Sequence, residues 1–139
     1  MLVVAGVFSA AASGGPAISS TAFFRTPSGN IGCIYASGGG EVVSRTSVRC
    51  DIRSGLKPKP ARPKGCDLDY GDSYELERTG RAIVVCHGDT AINSQAPVLA
   101  YGKTWRRGGF TCRSKATGLR CTNTRGHGFF MSRAHSYRF

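Results

Sequence analysis

The chain has 139 residues and a formal net charge of +11, from 19 Lys and Arg residues against 8 Asp and Glu residues. Its 19 glycines and 6 prolines are spread among short β-branched and aromatic runs, and no segment keeps the apolar period of a helix, which excludes a mainly helical protein. After residue 20 no apolar run approaches the length of a membrane-spanning helix, so we expect no transmembrane anchor.

The first predicted element is a cleavable leader. Residues 2–12 form an apolar run that is too short to span a bilayer and that ends in the small residues A-A-A-S, which are typical of signal-peptide cleavage. We therefore predict a signal peptide over residues 1–20, rather than a buried helix, without fixing the point of cleavage. A signal peptide normally opens with Lys or Arg, whereas the first basic residue here is Arg25, which leaves open a true start upstream of Met1.

Residues 21–139 are predicted to form a single all-β domain. Short β-branched and aromatic runs alternate with Gly, Ser and Asn turn signals, as in a small sandwich or barrel of antiparallel strands and hairpins. The predicted strands cover residues 31–35, 47–52, 74–77, 81–86, 98–101, 109–113, 119–122 and 128–132.

A proline-rich connector interrupts this pattern at residues 57–63, where the sequence reads KPKPARP. Each proline biases the preceding residue away from the helical region, so we expect an extended segment. We also expect this connector to divide two sub-lobes of the one domain.

Six cysteines are present, and no two of them form a close C-x-x-C pair. An even number without metal-ligand spacing predicts a disulfide framework, which forms in secreted proteins, and argues against zinc. The count alone allows many pairings. Two cysteines on facing arms of a hairpin can come within disulfide range, so we predict the pairs Cys33–Cys50, Cys66–Cys86 and Cys112–Cys121.

Several short segments follow one another along the chain in a characteristic order. They read TPSGNIGC at 26–33, VRCDI at 48–52, RP at 62–63, CDLDYG at 66–71, GDT at 88–90, LAYG at 99–102, GFTC at 109–112 and GHGF at 126–129. In this order they resemble a family of small secreted, six-cysteine bacterial proteins, common in actinobacteria, that is named only as a domain of unknown function. The resemblance extends over residues 24–139. It implies secretion and paired cysteines, and it implies no substrate or site.

The charge is unevenly distributed, because all eight acidic residues lie between Glu41 and Asp89. Arginines interleaved with aromatic residues on a β-sheet can bind nucleic acid, teichoic-type polymers or acidic lipid head groups. A solvated basic surface that serves only solubility is the alternative. The candidate polyanion-binding residues, with Arg106 and Arg107 on a glycine-bounded turn, are Lys103, Trp105, Arg106, Arg107, Arg113 and Arg125.

Three histidines, His87, His127 and His135, raise the possibility of an enzyme. Two imidazoles beside a cation would suit a small secreted, metal-independent ribonuclease-like phosphodiesterase. Against this, a histidine flanked by glycines, as in Gly126-His127-Gly128, is typical of a turn. We therefore favour a non-enzymatic function and assign no catalytic residue.

A cluster of three aspartates at residues 67–72 suggests a calcium site. The pattern of an EF-hand loop does not fit, because its final acidic ligand would fall on Arg78. Turn-forming aspartates that bond local amides explain this cluster better, so we predict no metal and no cofactor. The sequence as a whole predicts a secreted or cell-envelope binding module whose partner is an anionic polymer or an envelope protein. The phosphodiesterase remains the alternative from a different class.

Overall fold

The structure is a computed structural model that describes residues 20–38 and 45–139. The predicted signal peptide lies outside these residues, apart from Ser20. Over the same residues there is no helix with the length and apolar character needed to cross a membrane. The strands of the described chain are β1 Ser20–Arg25, β2 Ile31–Ser37, β3 Ser47–Ile52, β4 Ser73–Glu77, β5 Ile83–Val84, β6 Thr104–Arg107, β7 Phe110–Lys115, β8 Gly118–Thr122, β9 Gly128–Met131 and β10 Ser136–Arg138.

The strands form two five-stranded antiparallel sheets, which we call the first sheet (β1 to β5) and the second sheet (β6 to β10). Within each sheet every strand pairs with the next strand along the chain, so both sheets are simple meanders. Buried residues of the two sheets belong to one hydrophobic core. The predicted all-β, disulfide-stapled sandwich is confirmed.

Aromatic rings join the two sheets across this core. The Tyr35 ring of β2 lies 6.2 Å from the Phe110 ring of β7, and the Tyr74 ring of β4 lies 5.5 Å from the Phe129 ring of β9, measured between centroids. Burying one side chain of this size contributes about 1.5–3 kcal/mol, and edge or tilted ring contacts add to it. The rings therefore fix how the first sheet sits on the second.

The three predicted disulfides are all present. Two of them connect directly opposed residues of neighbouring strands, with a Cα–Cα distance of 4.1 Å in each, and the third, with 5.9 Å, ties the segment after the proline-rich connector to the end of β5. The hairpin argument thus holds for the first and last pairs. The pairs are Cys33–Cys50, Cys66–Cys86 and Cys112–Cys121.

The predicted strand at residues 98–101 is wrong. Only Val98 forms a bridge there, with Arg25 of β1, and the chain then turns, with the Lys103 amide donating to the Ala100 carbonyl at 3.0 Å. Positive φ at Gly102 supports this turn, which ends the pairing after one residue. Strands β1, β6 and β10 were not among the predicted ones.

The proline-rich connector at 57–63 does not divide two sub-lobes. It lies between β3 and β4, which pair with each other inside the first sheet. The chain instead crosses from one sheet to the other between β5 and β6, over residues 85–103. The strands on either side of the prolines, β3 and β4, therefore belong to the same sheet.

Replacing both Cys112 and Cys121 by alanine should lower the free energy of unfolding by about 2–4 kcal/mol, because the unfolded chain regains the freedom of the closed loop. Urea denaturation without reductant measures the effect against the oxidised wild type, and a reduced wild type shows the combined effect of all three pairs. An unchanged unfolding midpoint in the double variant would contradict this expectation.

Gly32→Ala should also destabilise the protein, by about 1–3 kcal/mol. An added Cβ would lie 2.6 Å from the Ile92 Cα, so the segment that crosses between the sheets would have to move. Gly80→Ala is the matched control, because a Cβ there meets no heavy atom within 4 Å. Equal unfolding midpoints for the two variants would show that the crossing segment does not depend on close approach at Gly32.

Candidate binding face

The second sheet has a continuous outer face, and strand alternation determines which residues lie on it. On β8, Leu119 and Cys121 are fully buried while Arg120 between them is exposed. Cys112 of β7 lies directly opposite Cys121, so its neighbour Arg113 lies opposite Arg120 on the outer face. The register of β7 and β8 that pairs the two buried cysteines therefore also places Arg113 and Arg120 opposite each other on the exposed face.

The same register continues across the sheet. Arg120 of β8 lies opposite Phe130 of β9, and Phe130 lies opposite Tyr137 of β10. Neighbouring strands are separated by about 4.8 Å, so two guanidinium groups and two aromatic rings follow one another in a row over four strands. We call Arg113, Arg120, Phe130 and Tyr137 the central row.

Further basic and aromatic side chains extend this face on both sides of the central row. By strand alternation, Arg106 of β6 and Lys115 of β7 lie on the same face of the sheet as the central row. His135 lies in the turn before β10, and Phe139 follows β10. We define the outer face by the residues Arg106, Arg113, Lys115, Arg120, Phe130, His135, Tyr137 and Phe139.

The aromatic side chains of the outer face form one cluster. Ring centroids are 5.2 Å apart for Phe130 and His135, 5.2 Å for Phe130 and Tyr137, and 5.8 Å for His135 and Tyr137, with interplanar angles of 30° or less. Because the three distances are nearly equal, the rings form a triangle and not a linear stack. Phe139 adjoins Tyr137 at 6.0 Å and carries the Arg120 guanidinium 4.0 Å from its ring centroid.

Two glycines allow these rings to lie against the sheet. A Cβ at Gly118 would collide with the Phe130 ring, and a Cβ at Gly128 would lie 2.9 Å from Cζ of Phe139. An aromatic ring that covers a strand glycine is a recognised way of stabilising that position. The rings are consequently held by the sheet on one side, while Tyr137 stays 43% exposed.

The electrostatics of the outer face are one-sided. No Asp or Glu occurs in the sequence after Asp89, and within the described residues none of the outer-face cations forms a salt bridge. Their one side-chain hydrogen bond in that part of the chain runs from Arg113 Nε to Thr104 Oγ1 at 3.4 Å. Clustered charge of one sign attracts mobile ions and ligands of the opposite sign.

The six residues singled out from the sequence are not all brought together. Arg106 and Arg113 lie on the outer face, Lys103 precedes β6, and Arg125 lies in the turn between β8 and β9. The structure adds residues that charge counting did not select, namely Lys115, Arg120, Phe130, His135, Tyr137 and Phe139. Strand alternation around Cys121 was the signal that could have identified Arg120 and, through pairing, Phe130.

The remaining two residues lie on the other side of β6. The Trp105 ring packs 4.9 Å from Phe24 and 5.8 Å from Tyr35, and the Arg107 guanidinium lies 4.9 Å from the Tyr35 ring centroid. The predicted turn at Arg106 and Arg107 is corrected, since both residues belong to β6 and the turn follows at residues 108–109.

A second polar cluster lies on the first sheet, around the buried carboxylate of Asp51. Arg49 donates to both its oxygens at 2.9 Å, Ser73 Oγ donates at 2.6 Å and the Ala91 amide at 2.8 Å. Burial alone would raise the pKa of Asp51, but these donors together with the Arg49 charge lower it overall. Arg49 also bonds Asp89 at 2.9 Å, so this cluster clamps the crossing segment onto β3.

His87 belongs to the same clamp. Its Nε2 lies 2.6 Å from Asp72 Oδ1 and its Nδ1 lies 2.5 Å from the Asp89 carbonyl oxygen, so both ring nitrogens face acceptors. Burial lowers the pKa of His87, but the bond to Asp72, the bond to the carbonyl and the nearby carboxylate charges raise it overall. The geometry therefore favours the doubly protonated ring.

The other two histidines lie at opposite ends of β9. The His127 backbone amide donates a hydrogen bond to Asn123 Oδ1 at 3.1 Å, which holds His127 in the turn before β9. The His135 ring packs on Phe130 and Tyr137. General acid–base catalysis on a phosphodiester needs two imidazoles within reach of one phosphate. Within residues 20–38 and 45–139, no three His, Cys, Asp or Glu side chains are arranged to hold a metal ion.

The whole chain, residues 1–139, matches the model of a family of unknown function, DUF6636, and the chain belongs to that family. Searches of the curated proteins and of the solved structures found no match.

His87→Gln should destabilise the protein most at low pH. A folded-state pKa above the unfolded value means that the contribution of His87 is complete below the unfolded pKa and is lost as the pH rises through the folded pKa. The difference in unfolding free energy between wild type and variant should therefore shrink from about pH 5 to about pH 9, a range that spans the usual histidine pKa. Urea denaturation across that range tests this, and a difference independent of pH would mean that the pKa of His87 is the same in the folded and unfolded states.

Proposed function

We propose that the protein is a secreted binding module of the bacterial cell envelope that holds acidic polymers on the outer face of its second sheet. The observation that carries the proposal is the central row, in which Arg113, Arg120, Phe130 and Tyr137 lie side by side. No Asp or Glu occurs in the sequence after Asp89, so none lies near them in the sequence of the second sheet.

The chemistry of the row suits a polymer with regularly spaced anionic groups. A guanidinium forms two parallel hydrogen bonds to a phosphate, sulfate or carboxylate, and an aromatic ring stacks on the flat face of a sugar or base. Because Phe130, Tyr137 and Phe139 are packed against one another and against the sheet, binding would freeze few side-chain rotations.

The disulfides support an extracytoplasmic location. Cys33, Cys50, Cys112 and Cys121 are completely buried in the core, and cross-links of this kind persist in oxidising compartments. The resemblance to small secreted bacterial proteins, drawn from the sequence, implies the same location.

The double variant Arg113→Ala, Arg120→Ala tests the outer face. Wild-type protein should bind heparin with an affinity that falls steeply with salt, and the variant should bind more weakly, with a salt slope reduced by about 1–2, because fewer counterions are released. Arg78→Ala, Arg81→Ala is the matched control, since it removes the same charge from exposed residues between β4 and β5.

Tyr137→Ala separates stacking from charge in the same assay. It should lower the affinity while leaving the salt slope unchanged, because the ring carries no charge. Equal slopes for the two double variants would mean that the basic face only solvates the protein. RNA hydrolysis by wild type that is lost in His127→Ala would favour the phosphodiesterase instead.

A further inference from the structure

A groove opens at one end of the sandwich, where three turns meet. The β1–β2 turn contributes Ser28 and Asn30, the end of β7 and the turn after it contribute Lys115 and Thr117, and the β9–β10 turn contributes Arg133, while Tyr101 also lines the groove. Its volume of about 480 Å³ lies within the range of small-molecule sites.

The charged groups of the groove are both basic. Lys115 and Arg133 line it, no Asp or Glu does, and within the described chain neither side chain has a hydrogen-bond or salt-bridge partner. A bound anion would therefore meet two cations whose hydrogen-bonding capacity is unused.

The walls of the groove are shaped by hydrogen bonds inside its turns. Ser132 Oγ donates to the His135 carbonyl at 2.9 Å and accepts from the His135 amide at 3.0 Å. On the facing turn, the Asn30 side chain bonds Ser54 in both directions, at 3.1 Å each way. The groove is thus preformed, and the hydroxyls of Tyr101 and Thr117 remain free of side-chain bonds within the described residues.

The groove adjoins the outer face through His135. The ring of this residue lines the groove and packs against Tyr137 and Phe130. A ligand that extends out of the groove would consequently meet the aromatic cluster and the central row.

We propose that this groove binds a sugar unit that carries one anionic group, a phosphate, sulfate or carboxylate, held between Lys115 and Arg133. Hydroxyl and amide groups match the hydroxyls of a sugar ring, and Tyr101 and His135 offer flat surfaces for its apolar face. Apart from the Tyr101 ring, the apolar side chains of the lining are those of Ile31, Ala116 and Ala134.

The groove shares Lys115 and His135 with the outer face but contains no residue of the central row, so the proposal goes beyond the proposed function. The same chemistry could come from a free sugar phosphate or from the terminal unit of an acidic glycan. A terminal unit would sit in the groove while the following units cross the outer face.

The test is an NMR titration of the isotope-labelled, oxidised protein with glucose 6-phosphate, and separately with inorganic phosphate and with glucose. Glucose 6-phosphate should shift the amides of Tyr101, Thr117 and Arg133 and should bind at least about tenfold more tightly than either component alone, because both halves of the site are used.

Arg133→Ala should weaken glucose 6-phosphate binding by about tenfold. Arg125→Ala is the matched control, since it removes an equally exposed arginine from the turn at the opposite end of β9 and should leave binding unchanged. Equal effects of the two variants, or shifts spread over all basic residues, would overturn the proposal. If glucose 6-phosphate binds no more tightly than inorganic phosphate, the groove does not recognise the sugar ring and that part of the proposal is wrong.

Acidic oligosaccharides of different length distinguish the two sources. If terminal units bind, oligosaccharides should compete with glucose 6-phosphate in proportion to the number of chain ends, whereas a site for free sugar phosphates should be indifferent to them. The double variant Arg113→Ala, Arg120→Ala should keep the glucose 6-phosphate shifts, so failure of the outer face to bind polymers and failure of the groove are separate results.

Discussion

The pairing of Cys112 with Cys121 determines which side chains the second sheet presents to solvent. A slip of β8 by one residue against β7 would exchange the two faces of β8 and move Arg120 into the core. The disulfide forbids that slip covalently, and the buried rings of the core oppose it energetically. The outer face is therefore a consequence of a constraint that lies entirely in the interior.

The two sheets divide the charge of the protein between them. On the first sheet, acids and bases neutralise one another, as in the pairs of Arg49 with Asp51 and Asp89 and of His87 with Asp72. Beyond Thr90 the chain has nine basic and no acidic side chains, out of a net charge of +11. The first sheet thus uses its charges to hold the crossing segment in place, while the cations on the outer face of the second sheet form no salt bridge within the described residues.

Local patterns predicted seven of the ten strands of the described chain and all three disulfides, because hairpins depend on residues close in sequence. The repeated arrangement of Cys33 with Cys50 and of Cys112 with Cys121 was enough to pair them. The binding face was predicted only in part, because it depends on the parity of each strand and on which strands are neighbours. Trp105 shows the difference, since its place beside Arg106 in the sequence suggested a shared surface while alternation turned it toward Phe24.

Two of the three histidines are held by contacts within the protein. His87 has both nitrogens engaged by Asp72 and the Asp89 carbonyl, which leaves neither free to exchange a proton with a substrate. The His135 ring lies in the aromatic cluster, packed against Phe130 and Tyr137. The second sheet instead offers rings that pack over Gly118 and Gly128, and arginines whose backbone positions are set by the strand register. A preorganised surface of this kind gains affinity because little freedom is lost when a ligand binds.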